Sequence, residues 1–227
     1  MKELLRNNLV FIGLSLILLA VLGLALLLIP TGELHLLLNN SHTHTRDIFY
    51  MYYTQVAEWF PYLLCVLLLL FGRIGDGLFA TACMALSALS TQILKHIINA
   101  PRPVTWFANN MPDVQLPLVD GVTMNHWYSF PSGHTTSFFA LAFAASILLT
   151  KTPMMAKQHR TTGLLLQAAL FVLAALGGYS RIYLSQHFAL DVFAGMVVGL
   201  GISLLCYVVF YRYKDQKWFN FRLFAKK

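Results

Sequence analysis

The sequence predicts an all-α fold: a polytopic membrane helical bundle of about six transmembrane helices, with a loop region on its outer face. Two observations carry this. Of 227 residues, 58% are hydrophobic and 11% are charged, against about 25% charged residues in soluble domains. The apolar residues also gather into runs, and residues 9–29 form an uncharged stretch long enough for a hydrocarbon core of roughly 30 Å.

The first run follows Lys2 and Arg6, as in a signal peptide. It exceeds the about 7–15 apolar residues of such a peptide and no A-x-A cleavage site follows, so it is expected to remain as a span. Further runs fall near 56–71, 77–98, 135–150, 163–179 and 188–211. Several are shorter than the usual ~20 residues, so their ends must recruit flanking residues. The whole chain, 1–227, reads as one membrane domain. Cys65, Cys83 and Cys206 all lie inside apolar runs and read as packing residues, with neither disulfide nor metal spacing.

Six spans put both termini on one side, together with the 72–76 turn and the 151–162 loop. That side holds 12 of the 16 Lys and Arg residues and a net charge of +9, leaving −2 for the rest. The positive-inside rule makes it cytoplasmic. The basic excess is thus a topology signal; it points to a phospholipid bilayer as partner and away from nucleic acid. The terminal stretch KDQKWFNFRLFAKK interleaves aromatics with cations, which suits an interfacial segment or a stop-transfer flank equally.

Three segments face outward: a 30–55 loop, a long 99–134 segment and a short 180–188 connection. The first contains His42-Thr43-His44, which without nearby Cys reads as loop residues, not a metal site. The second carries Trp106, Phe107, Trp127 and Tyr128, aromatics that favour the membrane boundary. Gly195-x-x-x-Gly199 in the last span is a close-packing pattern.

Charge near a span is expensive, yet Lys95, Arg102, Arg181, His134, His187 and Asp191 all fall at the outer level of the six-span plan. Three cations without a matching acid cluster suit a phosphate, which accepts forked hydrogen bonds from Arg and point charge from Lys. Pro101 and Pro103 stiffen the chain around Arg102. In Tyr128-Ser129-Phe130-Pro131-Ser132-Gly133-His134, Gly133 lets backbone approach an anion where a span begins, and Ser132 adds a hydroxyl. His187 and Asp191, four residues apart, suit a carboxylate that orients a nucleophilic imidazole. His134 is then placed to protonate the leaving group.

The same residues resemble the signature of the type 2 phosphatidic acid phosphatase superfamily. Lys95 with Arg102-Pro103 fits KxxxxxxRP, Pro131-Ser132-Gly133-His134 fits PSGH, and Ser180-Arg181, His187 and Asp191 fit SRxxxxxHxxxD. The motif core spans 95–191, with no departure at a motif position. The resemblance implies a phosphohistidine on His187 supported by Asp191, with His134 as general acid. It implies phosphate binding by Lys95, Arg102, Ser132, Gly133, Ser180 and Arg181, without metal or cofactor, and inhibition by vanadate. It also implies a lipid phosphate substrate in a bacterial inner membrane: undecaprenyl pyrophosphate, phosphatidylglycerol phosphate, phosphatidate or a lipid A phosphate. A lipid phosphotransferase, a sugar-phosphate phosphatase and a catalytically silent lipid-binding protein are the alternatives.

Overall fold

The computed structural model describes residues 2–150 and 160–224. Lys151, Lys157, Lys226 and Lys227, on which part of the charge asymmetry rests, lie outside the described residues. Within them the chain is helical without strands: α1 (Lys2–Asn7), α2 (Leu9–Leu28), α3 (Thr31–Leu38), α4 (His44–Phe71), α5 (Ile74–Ile98), α6 (Pro103–Asn110), α7 (Gly133–Leu149), α8 (Arg160–Tyr183), α9 (Ala189–Phe210) and α10 (Lys217–Asn220).

Among the described residues, five helices are long and apolar enough to cross a membrane, namely α2, α4, α5 with its extension through α6, α8 and α9. The sixth expected span, α7, has 17 residues, or ~26 Å at 1.5 Å per residue, and falls short of that length. Its position explains why. It packs against α4, α5, α8 and α9, so its neighbours supply most of its surroundings, and a helix apolar all round belongs inside a bundle. Phe139 and Ala140 on α7 are fully buried, while α2 exposes Leu16, Ile17, Val21, Leu24 and Leu27, an apolar outer face suited to lipid. All three cysteines are buried and free.

α7 and α9 approach through two glycines. A Cβ at Gly195 would lie 2.7 Å from the Ser132 carbonyl oxygen, and one at Gly199 would lie 2.6 Å from that of Thr136. Small residues allow this backbone contact where lipid gives no hydrophobic drive for helix association. The Gly195-x-x-x-Gly199 pattern therefore sets the distance between the start of α7 and the start of α9.

The outer segments are more ordered than hydropathy suggests. The expected 30–55 loop contains α3 and the first three turns of α4. Thr43 caps α4 by accepting from the Arg46 backbone N–H at 3.4 Å; these turns carry Arg46, Asp47 and tyrosines, so an apolar-run criterion passes over them. α8 likewise continues to Tyr183, which puts Ser180 and Arg181 on its last turn and shortens the connection to 184–188. α5 ends at Asn99 in the left-handed region (φ 44°), where Asn is tolerated. Pro103 then opens α6 at the position where a missing N–H costs nothing. At the far end, Phe219 of α10 is 1% exposed, and the Phe221 carbonyl accepts from the Ile74 N–H at 2.8 Å, so the terminal stretch docks on the start of α5.

α3 holds the 184–188 connection from behind. The Ser185 hydroxyl accepts from Asn39 Nδ2 at 2.6 Å and lies 3.3 Å from His35 Nε2. His35 is fully buried between the rings of Phe107 and Phe188. Nearby, His42 stacks on Tyr183 at 4.3 Å, and Asp47 accepts from the Tyr183 hydroxyl at 2.5 Å. Burial lowers the His35 pKa to about 4, against a smaller opposing pull from Asp191.

Two outcomes test these packing arguments. Gly199→Val drives a side chain into the Thr136 backbone and is expected to cost about 1–3 kcal/mol, read as a lower melting temperature in detergent. His35 is neutral in the fold but takes a proton once unfolded below about pH 6.5. Its contribution is complete above that value and is lost as pH falls toward 4, by up to about 3 kcal/mol. The melting temperature should therefore drop between pH 7.5 and 5, and drop less steeply in His35→Gln.

Candidate active site

A cavity of about 500 Å³ opens where the first turns of α4, the last turns of α5, the start of α7 and the end of α8 meet the 99–132 segment and the 184–188 connection. Lys95, Arg102, Gly133, His134, Arg181 and His187 all line it, so six of the nine residues expected from sequence share one wall. Asp191, Ser132 and Ser180 stand behind that wall.

The three cations are 7–8% exposed and, among the described residues, none is in salt-bridge contact with a carboxylate. Their partners are chiefly carbonyls. Lys95 Nζ donates to Tyr128 O at 2.5 Å. Arg102 donates from Nε to Trp127 O at 3.0 Å, and from Nη1 to Gln186 Oε1 at 2.8 Å and Gln186 O at 3.2 Å. Arg181 donates from Nη1 to Thr54 Oγ1 at 2.7 Å, and its buried Nε has no hydrogen-bond partner among the described residues. Carbonyl dipoles orient a cation without cancelling its charge, so the wall keeps a positive field inside a low-dielectric bundle.

His187 precedes α9 and is 1% exposed. Its Nδ1 lies 3.4 Å from Asp191 Oδ2 and 3.4 Å from Ser129 Oγ. Asp191 is held more tightly by others: its Oδ2 accepts from Ser129 Oγ at 2.5 Å and from the Phe188 N–H at 2.9 Å. The second of these bonds caps α9. Burial, followed by the charges of Arg102, Arg181 and Lys95, holds the His187 pKa well below the usual imidazole range. The ring is thus neutral, with a free electron pair, at neutral pH.

His134 begins the first turn of α7, and its Nε2 lies 3.2 Å from Glu58 Oε1 on α4. Ser132 is the N-cap of α7: its Oγ accepts from the Thr135 N–H at 3.4 Å and from Thr135 Oγ1 at 2.8 Å. Ser180 Oγ donates to Gly177 O at 2.7 Å. Both serines are fully buried and serve the helix ends. At Gly133 a Cβ would make only ordinary contact, 3.5 Å from Thr91 Cγ2, so nothing in the protein itself demands glycine there.

Sequence reasoning missed Ser129, Thr54, Gln186 and Glu58. Ser129 sits within the YSFPSGH stretch, but a serine there carries no signal of its own. Glu58 did carry one: it is an acid in a run otherwise read as a span, and the cost of such a charge singles it out as it does Lys95.

This geometry has counterparts. The lipid A 4'-phosphatase of Porphyromonas gingivalis is 28% identical over 193 residues, covering 82% of this chain and 75% of that protein. The undecaprenyl-diphosphatase of Sulfolobus acidocaldarius is 28% identical over 76% of this chain and 75% of its own. The probable lipid phosphate phosphatase 4 of Arabidopsis thaliana is 29% identical over 62% of the chain, which spans only 51% of that relative's length. Among solved structures, Aquifex aeolicus LpxE superposes with a TM-score of 0.59 at 28% identity, over 77% of this chain and 92% of that one. The transmembrane PAP2-type phosphatidylglycerolphosphate phosphatase of Bacillus subtilis shares the fold, with a TM-score of 0.65 at 22% identity over 93% and 99%. The PAP2 superfamily model matches residues 76–215, more than half of the sequence, and with the motif residues gathered on one cavity wall the chain belongs to that superfamily.

Proposed function

We propose that this chain is an integral membrane lipid phosphatase that hydrolyses a phosphomonoester or pyrophosphate headgroup at the outer membrane face, through a phosphohistidine on His187. The observation that carries the reading is the meeting of Lys95, Arg102 and Arg181 with His134 and His187 around one cavity, while Asp191 stands behind His187.

The cations receive the phosphate oxygens, and the unpartnered Arg181 Nε offers a donor that no protein group uses. Ser132, Gly133 and Ser180 form the helix ends beneath the phosphate. His187 attacks phosphorus with the nitrogen not facing Asp191. As the N–P bond forms, the bond to the leaving oxygen breaks, and His134 gives that oxygen its proton. Water then attacks the phosphohistidine, His134 takes its proton, the N–P bond breaks and inorganic phosphate leaves. Asp191, fixed by Ser129 and Phe188, holds the tautomer and offsets charge on His187. Phosphoryl transfer mainly requires positioning and charge neutralisation, and three cations supply both without a metal ion.

The substrate class is a lipid phosphate: undecaprenyl pyrophosphate, phosphatidate, phosphatidylglycerol phosphate or a lipid A phosphate. The names of the relatives support the class, and the apolar helices support a site reached from the bilayer. The Lys and Arg asymmetry supports cytoplasmic termini and a periplasmic cavity, and the resemblance to compact bacterial members of the family supports a bacterial inner membrane.

Three measurements bear on this. Phosphate release in detergent from the four lipid phosphates should persist in excess chelator, be blocked by vanadate, and fall at least ~10³-fold in His187→Ala; metal-dependent turnover or an active His187→Ala would overturn the mechanism. With an acceptor lipid present, free phosphate should remain the main product. A reporter fused after Lys227 should read as cytoplasmic, and an extracytoplasmic signal would move the cavity to the inner leaflet.

A further inference from the structure

Two histidines line this cavity with Asp191 behind one of them, yet Glu58 beside the other has no part in the scheme above. It sits on α4 one turn after Thr54, and the two residues grip different walls: Thr54 accepts from Arg181 of α8 at 2.7 Å, while Glu58 lies 3.2 Å from His134 of α7. Glu58 is the one carboxylate among the residues lining the cavity, facing Lys95, Arg102 and Arg181. Its side chain is 62% exposed, and exposed ion pairs of this kind add little to stability. Fold stability therefore gives no reason for an acid here, in a helix where a charge is costly.

We propose that Glu58 is the positioning residue of His134: its carboxylate fixes the imidazole through Nε2 and supplies the counter-charge that lets a protonated ring stand among three cations. This rests on His134 being the general acid. Glu58 forms no bond to substrate and undergoes no net change over the cycle. It accepts the Nε2 hydrogen bond while His134 gives its proton to the leaving oxygen and later recovers one from water. Being exposed, it also has the freedom to follow the ring as a headgroup enters.

The dependence on leaving group separates this role from a structural one. An alkoxide leaving from a lipid phosphate needs a proton, whereas nitrophenolate, a weak base, leaves without one. The experiment measures phosphoenzyme formation in a single turnover, so that the water step His134 also serves does not enter, for the lipid phosphate turned over fastest and for 4-nitrophenyl phosphate, in the parent, Glu58→Gln, His134→Ala and the double variant. Glu58→Gln is expected to slow phosphoenzyme formation from the lipid about tenfold, with the half-saturating concentration little changed and formation from 4-nitrophenyl phosphate within about twofold. In the His134→Ala background it should have no further effect. An equal loss on both substrates, or a full additional loss in the double variant, would overturn the proposal. If His134→Ala itself fails to distinguish the substrates, the general-acid reading falls; if His134→Ala distinguishes them and Glu58→Gln does not, only the role of Glu58 falls.

Discussion

Three buried cations that, among the described residues, make no salt bridge to a carboxylate are the constraint from which the cavity end of this molecule follows. Taking a charge out of water costs several kcal/mol per ion unless dipoles replace the lost hydration. Lys95, Arg102 and Arg181 find those dipoles in Tyr128 O, Trp127 O, the Gln186 carbonyl and amide, and Thr54. Four separate stretches of chain must therefore converge. The Arg102 N–H bonds His126 O and the Ser129 N–H bonds Ala100 O, which folds the return of the 99–132 segment back along its start. Carboxylates would have met the cost more fully, but they would have cancelled the positive field at the cavity wall.

The helices translate that constraint into geometry. α7 carries His134 at its first turn, and α9 begins two residues after His187. Their separation is set by Gly195 and Gly199 against the α7 backbone, and the Ser132 N–H donates to Asp191 O at 3.0 Å across the same junction. His134 and His187 are thus fixed relative to one another by backbone contact. Side chains of ordinary size would leave that distance to rotamers. A short α7 is the consequence: it starts at the cavity wall, where Gly133 and His134 line the space.

Much of this was legible in sequence because burying a charge is costly enough to leave a mark. Lys95, Arg102, Arg181, His134 and His187 stand out from apolar surroundings, and the structure brings all five to one wall. The helix ends were less legible. The polar first turns of α4 and the last turn of α8 escape an apolar criterion, since Asp47, Thr54 and Ser180 there take polar partners. Ser132 and Ser180 show the converse. Their motif positions were plain, but only the coordinates show their hydroxyls committed to Thr135 and Gly177. Ser129 left no mark, because a neutral hydroxyl costs little to place and gains its meaning only from Asp191.

The two carboxylates beside the histidines differ in setting. Asp191 is 4% exposed and its Oδ2 is held by two donors besides His187. In the proposed scheme His187 must present one nitrogen along one line to phosphorus, and a 1 Å error there is costly. Glu58, whose side chain is 62% exposed, stands at the cavity wall with His134 as its hydrogen-bond partner. A proton donor works over a wider cone, and in the same scheme it must serve first a leaving oxygen and then an incoming water at a different point. A buried carboxylate from the start of α9 and an exposed one from the edge of α4 suit the separate demands those proposed roles make: rigidity behind His187 and room to move behind His134.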